Sequence, residues 1–447
     1  MTSIRAVTTA LLAPLLLAAP PLAAQAARQD APAPSLRTAP VLRSNRPTPA
    51  PDPRPLPATA TLFDGYVRAG KMPGIVGAFG FGAMPTITVA AGRIADDGAV
   101  AGPDSLWRIY SMTKPITGMA AMLLVEEGKI ALDDPVSKYI PAFAKMRVLT
   151  SPDTSLASVP ATRPITIRHL MTHTAGLSYS IVAKGPLLRE YERLGLLPLA
   201  INPAAEVKMR LVRPKSLAEF ADRVATVPLV AQPGTKWSYS IGLDVLGRVI
   251  EVASGMPFDR FLQTRFFTPL GMNSTFFTVP AAQAARLATN YTFVGDDRVP
   301  LDPGATSIFR QPPAFPYGGA GLVSSARDYD RFLAMLANGG TLNGTRVMKA
   351  ATARLGMSNL LPAGVFFETD GVKQGYGAGG FAYIVDQPGG LSKGAYGWSG
   401  AAGTLGWVDP ARQARGTVMV NYIPGQRYPL AKEVGAALRQ DFATALR

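Results

Sequence analysis

The stretch at residues 107–115, which reads Trp-Arg-Ile-Tyr-Ser-Met-Thr-Lys-Pro, decides the fold of this chain. The short run that ends at Tyr110 predicts a strand end, and a long helical pattern begins directly after Ser111. Ser111 and Lys114 are three residues apart, so a helix places their side chains on one face, about one turn apart. A hydroxyl needs a neighbouring base to become a nucleophile at neutral pH, and an amine can be that base. Ser-x-x-Lys occurs at one place in the 447 residues.

The helix after Ser111 predicts that Lys114 is buried. Residues 112–127 carry almost no polar face, and Pro115 is tolerated only in a first turn, so the helix starts at or just after Ser111. The four residues alone also fit an ordinary helix start, with a serine N-cap and a solvated lysine. The apolar surroundings argue against that alternative, because burial favours the neutral amine that a general base needs.

Composition excludes several chemistries. The chain has no cysteine, so disulfides, thiolate nucleophiles and cysteine-ligated metals are excluded. The formal net charge is +15, but lysine and arginine are scattered rather than clustered. We therefore expect a solvated basic surface and no nucleic-acid partner.

The N-terminal sequence is typical of an export signal. Arg5 precedes an apolar stretch and a small-x-small pattern at Ala24-Gln25-Ala26, which predicts a signal peptide over residues 1–26. The apolar run is too short for a mature membrane span, so we expect no integral membrane segment after cleavage. We expect the mature protein to be periplasmic or secreted. Residues 27–58 are rich in proline and alanine and predict a linker, followed by one globular domain over residues 59–447.

The order of strand and helix signals predicts an α+β fold. Two glycine-flanked apolar runs, Gly74 to Gly82 and Thr86 to Ile94, predict a hairpin. Four further short strand signals follow Tyr376, whereas residues 133–322 show helical segments and no strand of any length. We therefore expect one antiparallel sheet built from the N- and C-terminal segments, flanked by helices, with a mostly helical subdomain inserted at about 133–322. A cleft between the two parts is the natural place for a site.

Two later stretches could complete a site around Ser111. In residues 233–241, Tyr239 follows a proline-glycine turn and precedes a helix, so its hydroxyl could enter the cleft, although a packed aromatic residue is an equally simple explanation. In residues 396–404, Gly400 to Gly403 carry almost no side chain. A ligand could lie against this backbone, and a main-chain N–H there could help form an oxyanion hole. The alternative is a tightly packed strand.

The two histidines of the chain, His169 and His173, have the i, i+4 spacing of some zinc sites. Leu170 stands where such a motif has glutamate, and no third ligand is evident. We interpret both as structural histidines that bond to the backbone, and we predict no metal and no cofactor.

Together and in this order, the three stretches resemble the serine β-lactamase and penicillin-binding-protein superfamily. The similarity extends from about Phe63 to Leu446 and is closest to class C β-lactamase-like hydrolases and family VIII carboxylesterases. The resemblance implies a β-lactamase/transpeptidase-like fold, Ser111 as the nucleophile, Lys114 as its base and Tyr239 as a partner in proton transfer. It places Trp398-Ser399-Gly400 at the position of Lys-Thr-Gly and implies an oxyanion hole formed by the N–H groups of Ser111 and Ala401.

Two departures from the family pattern bear on the substrate. Ile241 stands where penicillin-directed enzymes carry an asparagine that bonds the substrate amide, and Trp398 stands where they carry a lysine that attracts its carboxylate. We therefore expect a serine hydrolase that forms an acyl-enzyme from a small ester or amide, most simply a carboxylesterase of short to medium acyl esters. The alternatives are a β-lactamase or D,D-peptidase and, in another class, a non-catalytic binding protein on the same fold. The complete set of Ser111, Lys114 and Tyr239 argues against the last.

Overall fold

The computed structural model describes residues 54–198, 201–369, 371–387 and 389–445. The predicted signal peptide and residues 27–53 of the predicted linker lie outside the described residues. The α-helices of the described part are α1 Pro57–Arg68, α2 Thr113–Glu126, α3 Ile167–Met171, α4 Gly185–Arg193, α5 Pro203–Arg210, α6 Leu217–Ala225, α7 Gly242–Ser254, α8 Phe258–Leu262, α9 Thr268–Leu270, α10 Ala326–Ala337, α11 Ala350–Met357 and α12 Leu430–Ala445. No helix among these has the length and apolar character that a membrane crossing requires.

The strands of the described part are mostly short. They are β1 Gly74–Phe81, β2 Ile87–Gly92, β3 Trp107–Arg108, β4 Arg147–Leu149, β5 Ser158–Pro160, β6 Asn290–Val294, β7 Asp297–Asp302, β8 Val323–Ser324, β9 Thr341–Leu342, β10 Thr345–Arg346, β11 Phe367–Thr369, β12 Val372–Tyr376, β13 Phe381–Ala382, β14 Tyr396–Ser399, β15 Leu405–Asp409 and β16 Ala414–Met419.

One eight-stranded sheet joins the two ends of the domain, in the order β11-β12-β13-β14-β15-β16-β1-β2. Its neighbouring strands are all antiparallel, and Ala78 of β1 lies opposite Thr417 of β16. This pairing between segments far apart in sequence confirms the predicted α+β fold with one antiparallel sheet from both ends of the chain.

The sheet is buried on both faces, and side chains alternate between them as the pleat requires. Ile75 and Phe79 of β1 pack into a core with α1 and α12. Val76 and Ala78 point the other way, into a larger core that includes α2, α7 and α10. The sheet therefore separates an outer pair of helices from the helical region that contains the candidate site.

The outer helices are tied together at the start of α1. The Thr59 side chain donates a hydrogen bond to Asp441 of α12 at 2.7 Å, and the Ala58 N–H donates to the same carboxylate at 2.6 Å. Asp441 thus satisfies N–H groups at the N-terminus of α1 that the helix itself cannot pair. Helix α1 begins at Pro57, slightly before the expected start of the globular part.

The inserted region is mostly helical, but it contains strands that the sequence analysis did not predict. Strands β6 and β7 form a hairpin whose second strand, Asp297–Asp302, carries charged residues and Pro300 and shows no regular burial pattern. Outside this region, strand β3 lies in the run where the sequence predicted a strand end, and it pairs with β8 at Trp107 and Ser324. The β3–β8 pair fixes the entry to the Ser111 turn, because β3 ends three residues before the serine.

Candidate active site

The turn that presents Ser111 is strained and firmly anchored. Residues Tyr110–Met112 form one turn of 3₁₀ helix that leads into α2. Tyr110 has φ +40°, a left-handed conformation that costs a non-glycine residue on the order of 1–3 kcal/mol. Such strain persists only where the surroundings enforce it. Here the Asn290 side-chain amide donates to the Tyr110 hydroxyl at 3.1 Å.

A buried ion pair supports this turn from behind. Arg108 is fully buried, and its guanidinium lies 2.6 Å from the Asp302 carboxylate. Asn421 bonds to both backbone groups of Arg108, accepting from its N–H and donating to its carbonyl, each at 3.0 Å. The strand before the nucleophile turn is therefore fixed to β7 and to the residues after β16. This network could not be predicted from the sequence, since a single arginine in an apolar run gives no signal of its partners.

Lys114 is buried beside Ser111, as the apolar helix predicted. Its side chain has no exposed surface. The Nζ atom donates to Ser111 Oγ at 3.1 Å and to the Gly319 carbonyl at 2.7 Å, and it lies 4.7 Å from the centre of the Tyr239 ring. The lysine is thus held toward the serine by a second, main-chain partner.

Tyr239 reaches the same oxygen from a distant part of the chain. Its hydroxyl lies 2.7 Å from Ser111 Oγ. Tyr239 precedes α7, and the next residue, Ser240, donates its N–H to Nδ1 of the buried His173 at 3.1 Å. The structure therefore brings together the three residues that the sequence analysis placed in a catalytic group.

The end of β14 lies directly against the nucleophile turn. A Cβ on Gly400 would lie 2.5 Å from the Ile109 carbonyl oxygen and 2.2 Å from Thr404 Oγ1, so only glycine fits there. Ser399 and Ala401, on either side of it, are both exposed. Within the described part of the chain, the N–H groups of Ser111 and Ala401 donate to no protein acceptor. Both can therefore donate to a bound ligand.

Aromatic side chains form a wall around Tyr239, which we call the aromatic wall and define as Trp237, Phe367, Tyr376 and Trp398. The Trp398 ring centre lies 5.2 Å from that of Tyr376, 5.7 Å from that of Phe367 and 6.1 Å from that of Tyr239. Trp398 itself is partly exposed. The wall places aromatic rings beside the Tyr239 ring.

The predicted position of the Ile241 side chain requires a correction. The resemblance placed it among the substrate-binding residues, but its side chain is only 2% exposed and packs in the main hydrophobic core. Its N–H donates to the Ser178 carbonyl at 3.1 Å, which fixes the entry to α7. Ile241 therefore stabilises the start of the helix from the core.

Both histidines bond to the backbone, the structural role predicted for them. His169 Nδ1 accepts the Thr166 N–H at 3.2 Å in a capping box at the start of α3. Burial lowers the pKa of His169 to about 4 and lowers the pKa of His173 well below its usual value. Lys114 adds to the effect on His173, so that ring stays neutral beside the lysine.

One acidic residue near the site, Asp244, was not predicted from the sequence. Asp244, in the first turn of α7, is only 2% exposed and accepts the Gly319 N–H at 2.8 Å. Burial raises the pKa of its carboxyl to about 6, although the neighbouring Lys114 acts in the opposite direction. An aspartate in the first turn of a helix is common because it interacts favourably with the helix dipole, so its position in the sequence does not indicate a role in the site.

Comparison with known proteins places this geometry in a family. The sequence profile of the family described as Beta-lactamase matches residues 59–439. Esterase EstB of Burkholderia gladioli is 34% identical over 320 residues, which cover 68% of this chain and 72% of EstB. The lovastatin esterase of Penicillium rubens is 32% identical over 369 residues, which cover 76% of this chain and 84% of that enzyme.

A solved structure shows the same fold. EstCE1, described as a hydrolase with promiscuous acyltransferase activity, superposes with a TM-score of 0.66 at 24% identity, over 86% of this chain and 98% of EstCE1. At this level of identity the likeness establishes the architecture. The profile match over most of the domain, together with two esterases more than 30% identical over more than two thirds of their length, shows that the chain is an enzyme of the serine hydrolase type and belongs to the beta-lactamase family.

Proposed function

We propose that this protein is a carboxylesterase that hydrolyses esters of short to medium acyl chains through an acyl-enzyme on Ser111. The observation that carries the proposal is the convergence of two proton-transfer groups on one hydroxyl. Ser111 Oγ lies 2.7 Å from the Tyr239 hydroxyl and 3.1 Å from Lys114 Nζ. A nucleophile within hydrogen-bonding reach of its base, with the base oriented by a third group, is the arrangement that nucleophilic catalysis requires.

The reaction proceeds in two steps. Ser111 Oγ attacks the ester carbonyl, its proton passes to Lys114 or Tyr239, and the N–H groups of Ser111 and Ala401 bind the oxyanion. The same pair of residues returns the proton to the leaving alkoxide, and water then hydrolyses the acyl-enzyme by the reverse route. The described residues contain no cluster of metal-binding side chains at this site, and the steps above require none.

The aromatic wall favours an ester over a charged β-lactam or peptide. Trp398 presents a ring at the position where the resemblance places a lysine in penicillin-directed enzymes, and the Phe367 ring lies beside it with the ring centres 5.7 Å apart. Apolar contact with an acyl or alcohol group fits this surface better than a desolvated carboxylate does, because an unpaired buried charge is costly. The names of EstB and lovastatin esterase agree with ester substrates.

A panel of substrates tests the proposal. We expect kcat/KM for p-nitrophenyl butyrate to exceed that for nitrocefin and for a D-Ala-D-Ala peptide by about 100-fold or more, which corresponds to about 3 kcal/mol of transition-state binding. A long-chain p-nitrophenyl ester in the same panel defines the acyl length. Nitrocefin turnover equal to ester turnover would instead assign the protein to the β-lactamase or D,D-peptidase alternative. Binding of all substrates without turnover would assign it to the non-catalytic alternative.

We also propose that the chain is exported, on the basis of residues 1–26. Fractionation of expressing cells tests this directly, with the processed protein expected outside the cytoplasm. A full-length chain that stays in the cytoplasm would contradict the proposed signal peptide.

A further inference from the structure

A single residue, Gly319, connects the buried acid of α7 to the nucleophile. The Gly319 N–H donates to Asp244 Oδ1 at 2.8 Å, and the Gly319 carbonyl accepts from Lys114 Nζ at 2.7 Å. Lys114 Nζ in turn donates to Ser111 Oγ at 3.1 Å. Three hydrogen bonds therefore link Asp244 to Ser111 through the backbone of Gly319 and the side chain of Lys114.

The loop that carries Gly319 is closely packed on two sides. A Cβ on Gly319 would lie 2.7 Å from Asp244 Oδ2, and a Cβ on Gly318 would lie 2.5 Å from the Leu243 carbonyl oxygen. The loop is thus packed against the first turn of α7. On its other side, the Thr117 hydroxyl of α2 donates to the Gly318 carbonyl at 2.7 Å.

The charged and titratable groups around Asp244 come from several elements. Lys114 of α2, in its protonated form, opposes the rise in the pKa of the Asp244 carboxyl that burial causes. The Tyr179 and Tyr317 phenols face it from the loops after α3 and before β8, and Arg213 donates to the Tyr317 hydroxyl at 2.8 Å. Because the pKa of Asp244 is about 6, its carboxylate is ionised at neutral pH.

We propose that Asp244 is a positioning residue of this site. It fixes the Gly319 carbonyl, so that Lys114 Nζ is held against Ser111 Oγ. Its negative charge also compensates the positive charge that Lys114 gains during attack. In that step the Oγ–H bond breaks, an Nζ–H bond forms and Oγ bonds to the carbonyl carbon. The proton goes to Lys114, and Asp244 gains no atom and keeps its charge. This inference rests on the proposed function, in which Lys114 takes the serine proton.

The test compares Asp244→Asn with Thr117→Val. The asparagine keeps an oxygen that can accept the Gly319 N–H but removes the charge, whereas the valine removes a buried hydrogen bond from the same loop without altering any charge. For p-nitrophenyl butyrate we expect D244N to lower kcat roughly 10- to 100-fold with KM within about threefold, and T117V to stay within about threefold of wild type in kcat. Wild-type kcat in D244N overturns the proposal, and so does an equal loss in both variants, which would show a merely structural role.

The pH profile of the wild-type enzyme provides a second measurement that does not depend on any variant folding. Protonation of Asp244 removes its charge, so log kcat/KM should fall more steeply with decreasing pH below about 6 than above it. D244N should lack this change of slope. A constant slope through pH 6 in the wild-type enzyme overturns the proposal.

A failure of the proposed function gives a different pattern. If the wild-type protein turns over no ester, the rate at which a fluorophosphonate labels Ser111 replaces kcat, because labelling needs an activated serine but no ester turnover. Slower labelling of D244N, and not of T117V, then supports the role of Asp244, and equal labelling of D244N and wild type overturns it.

Discussion

The Tyr239 hydroxyl lies 2.7 Å from Ser111 Oγ, although 128 positions separate the two residues in the chain. The contact joins the start of α7 to the start of α2, with Lys114 between them over the tyrosine ring. The serine therefore has one proton partner on its own helix and one from the inserted helical region. Both lie within hydrogen-bonding reach of the hydroxyl whose proton is removed and returned in each turnover.

Replacement of Tyr239 by phenylalanine removes the hydroxyl and keeps the ring. We expect kcat for p-nitrophenyl butyrate to fall about 10²- to 10⁴-fold, the range typical of general acid–base groups, while KM changes little. Tyr139→Phe is the control, because it removes a phenol that donates to Asp134 outside the site. Equal kcat in Tyr239→Phe and wild type would show that the hydroxyl takes no part in proton transfer.

Gly400→Ala tests the position of the β14 end. The added Cβ would lie 2.5 Å from the Ile109 carbonyl oxygen, so the strand and the nucleophile turn must move apart. We expect kcat to fall at least about 10-fold, since loss of one oxyanion donor costs about 10²- to 10³-fold in other enzymes. Gly65→Ala on α1, where the added Cβ meets no atom within 4 Å, is the matched control and should leave kcat unchanged. A fully active Gly400→Ala enzyme would refute this account of the strand end.

His169→Gln tests the coupling of one histidine to acid stability. The pKa of His169 is about 4 in the folded protein and about 6.5 in an unfolded chain. Between these values the unfolded chain binds a proton that the folded chain does not, so stability falls as the pH falls from 6.5 to 4. Glutamine keeps a capping-box acceptor and does not titrate.

Urea unfolding at pH 7 and pH 5 measures the effect. We expect the loss of stability between the two pH values to be smaller in His169→Gln than in wild type by roughly 1–2 kcal/mol. Asp244 titrates in the opposite sense, because a raised pKa stabilises the folded state as the pH falls, but it does so equally in both proteins and cancels. An identical loss in the two proteins would contradict the assigned protonation of His169.

The sequence predicted the parts of the site that depend on local pattern. The spacing of Ser111 and Lys114 and the apolar faces of α2 were enough to predict a buried lysine beside the serine. The strand signals at both ends predicted the sheet, and β1 does pair with β16. Tyr239 gave a weak signal by itself and was assigned from the resemblance to a known superfamily.

Other features depend on contacts between distant segments, which a single sequence does not reveal. Asp244 accepts a hydrogen bond from the N–H of Gly319, which is 75 positions away in the chain. The positive φ of Tyr110 results from packing around the turn, and no residue preference of tyrosine predicts it. Ile241 was placed at the substrate surface by analogy with an asparagine, but an apolar side chain at this position is buried in the core instead.

Hydrolysis of p-nitrophenyl butyrate by Ser111→Ala, measured beside the wild-type enzyme, tests the central claim most directly. Alanine removes the oxygen that lies within reach of both Lys114 and Tyr239 and adds no steric conflict. With an unchanged circular dichroism spectrum and melting temperature, we predict a fall in kcat on the order of 10³-fold or more. Turnover equal to that of the wild-type enzyme would contradict the assignment of Ser111 as the nucleophile.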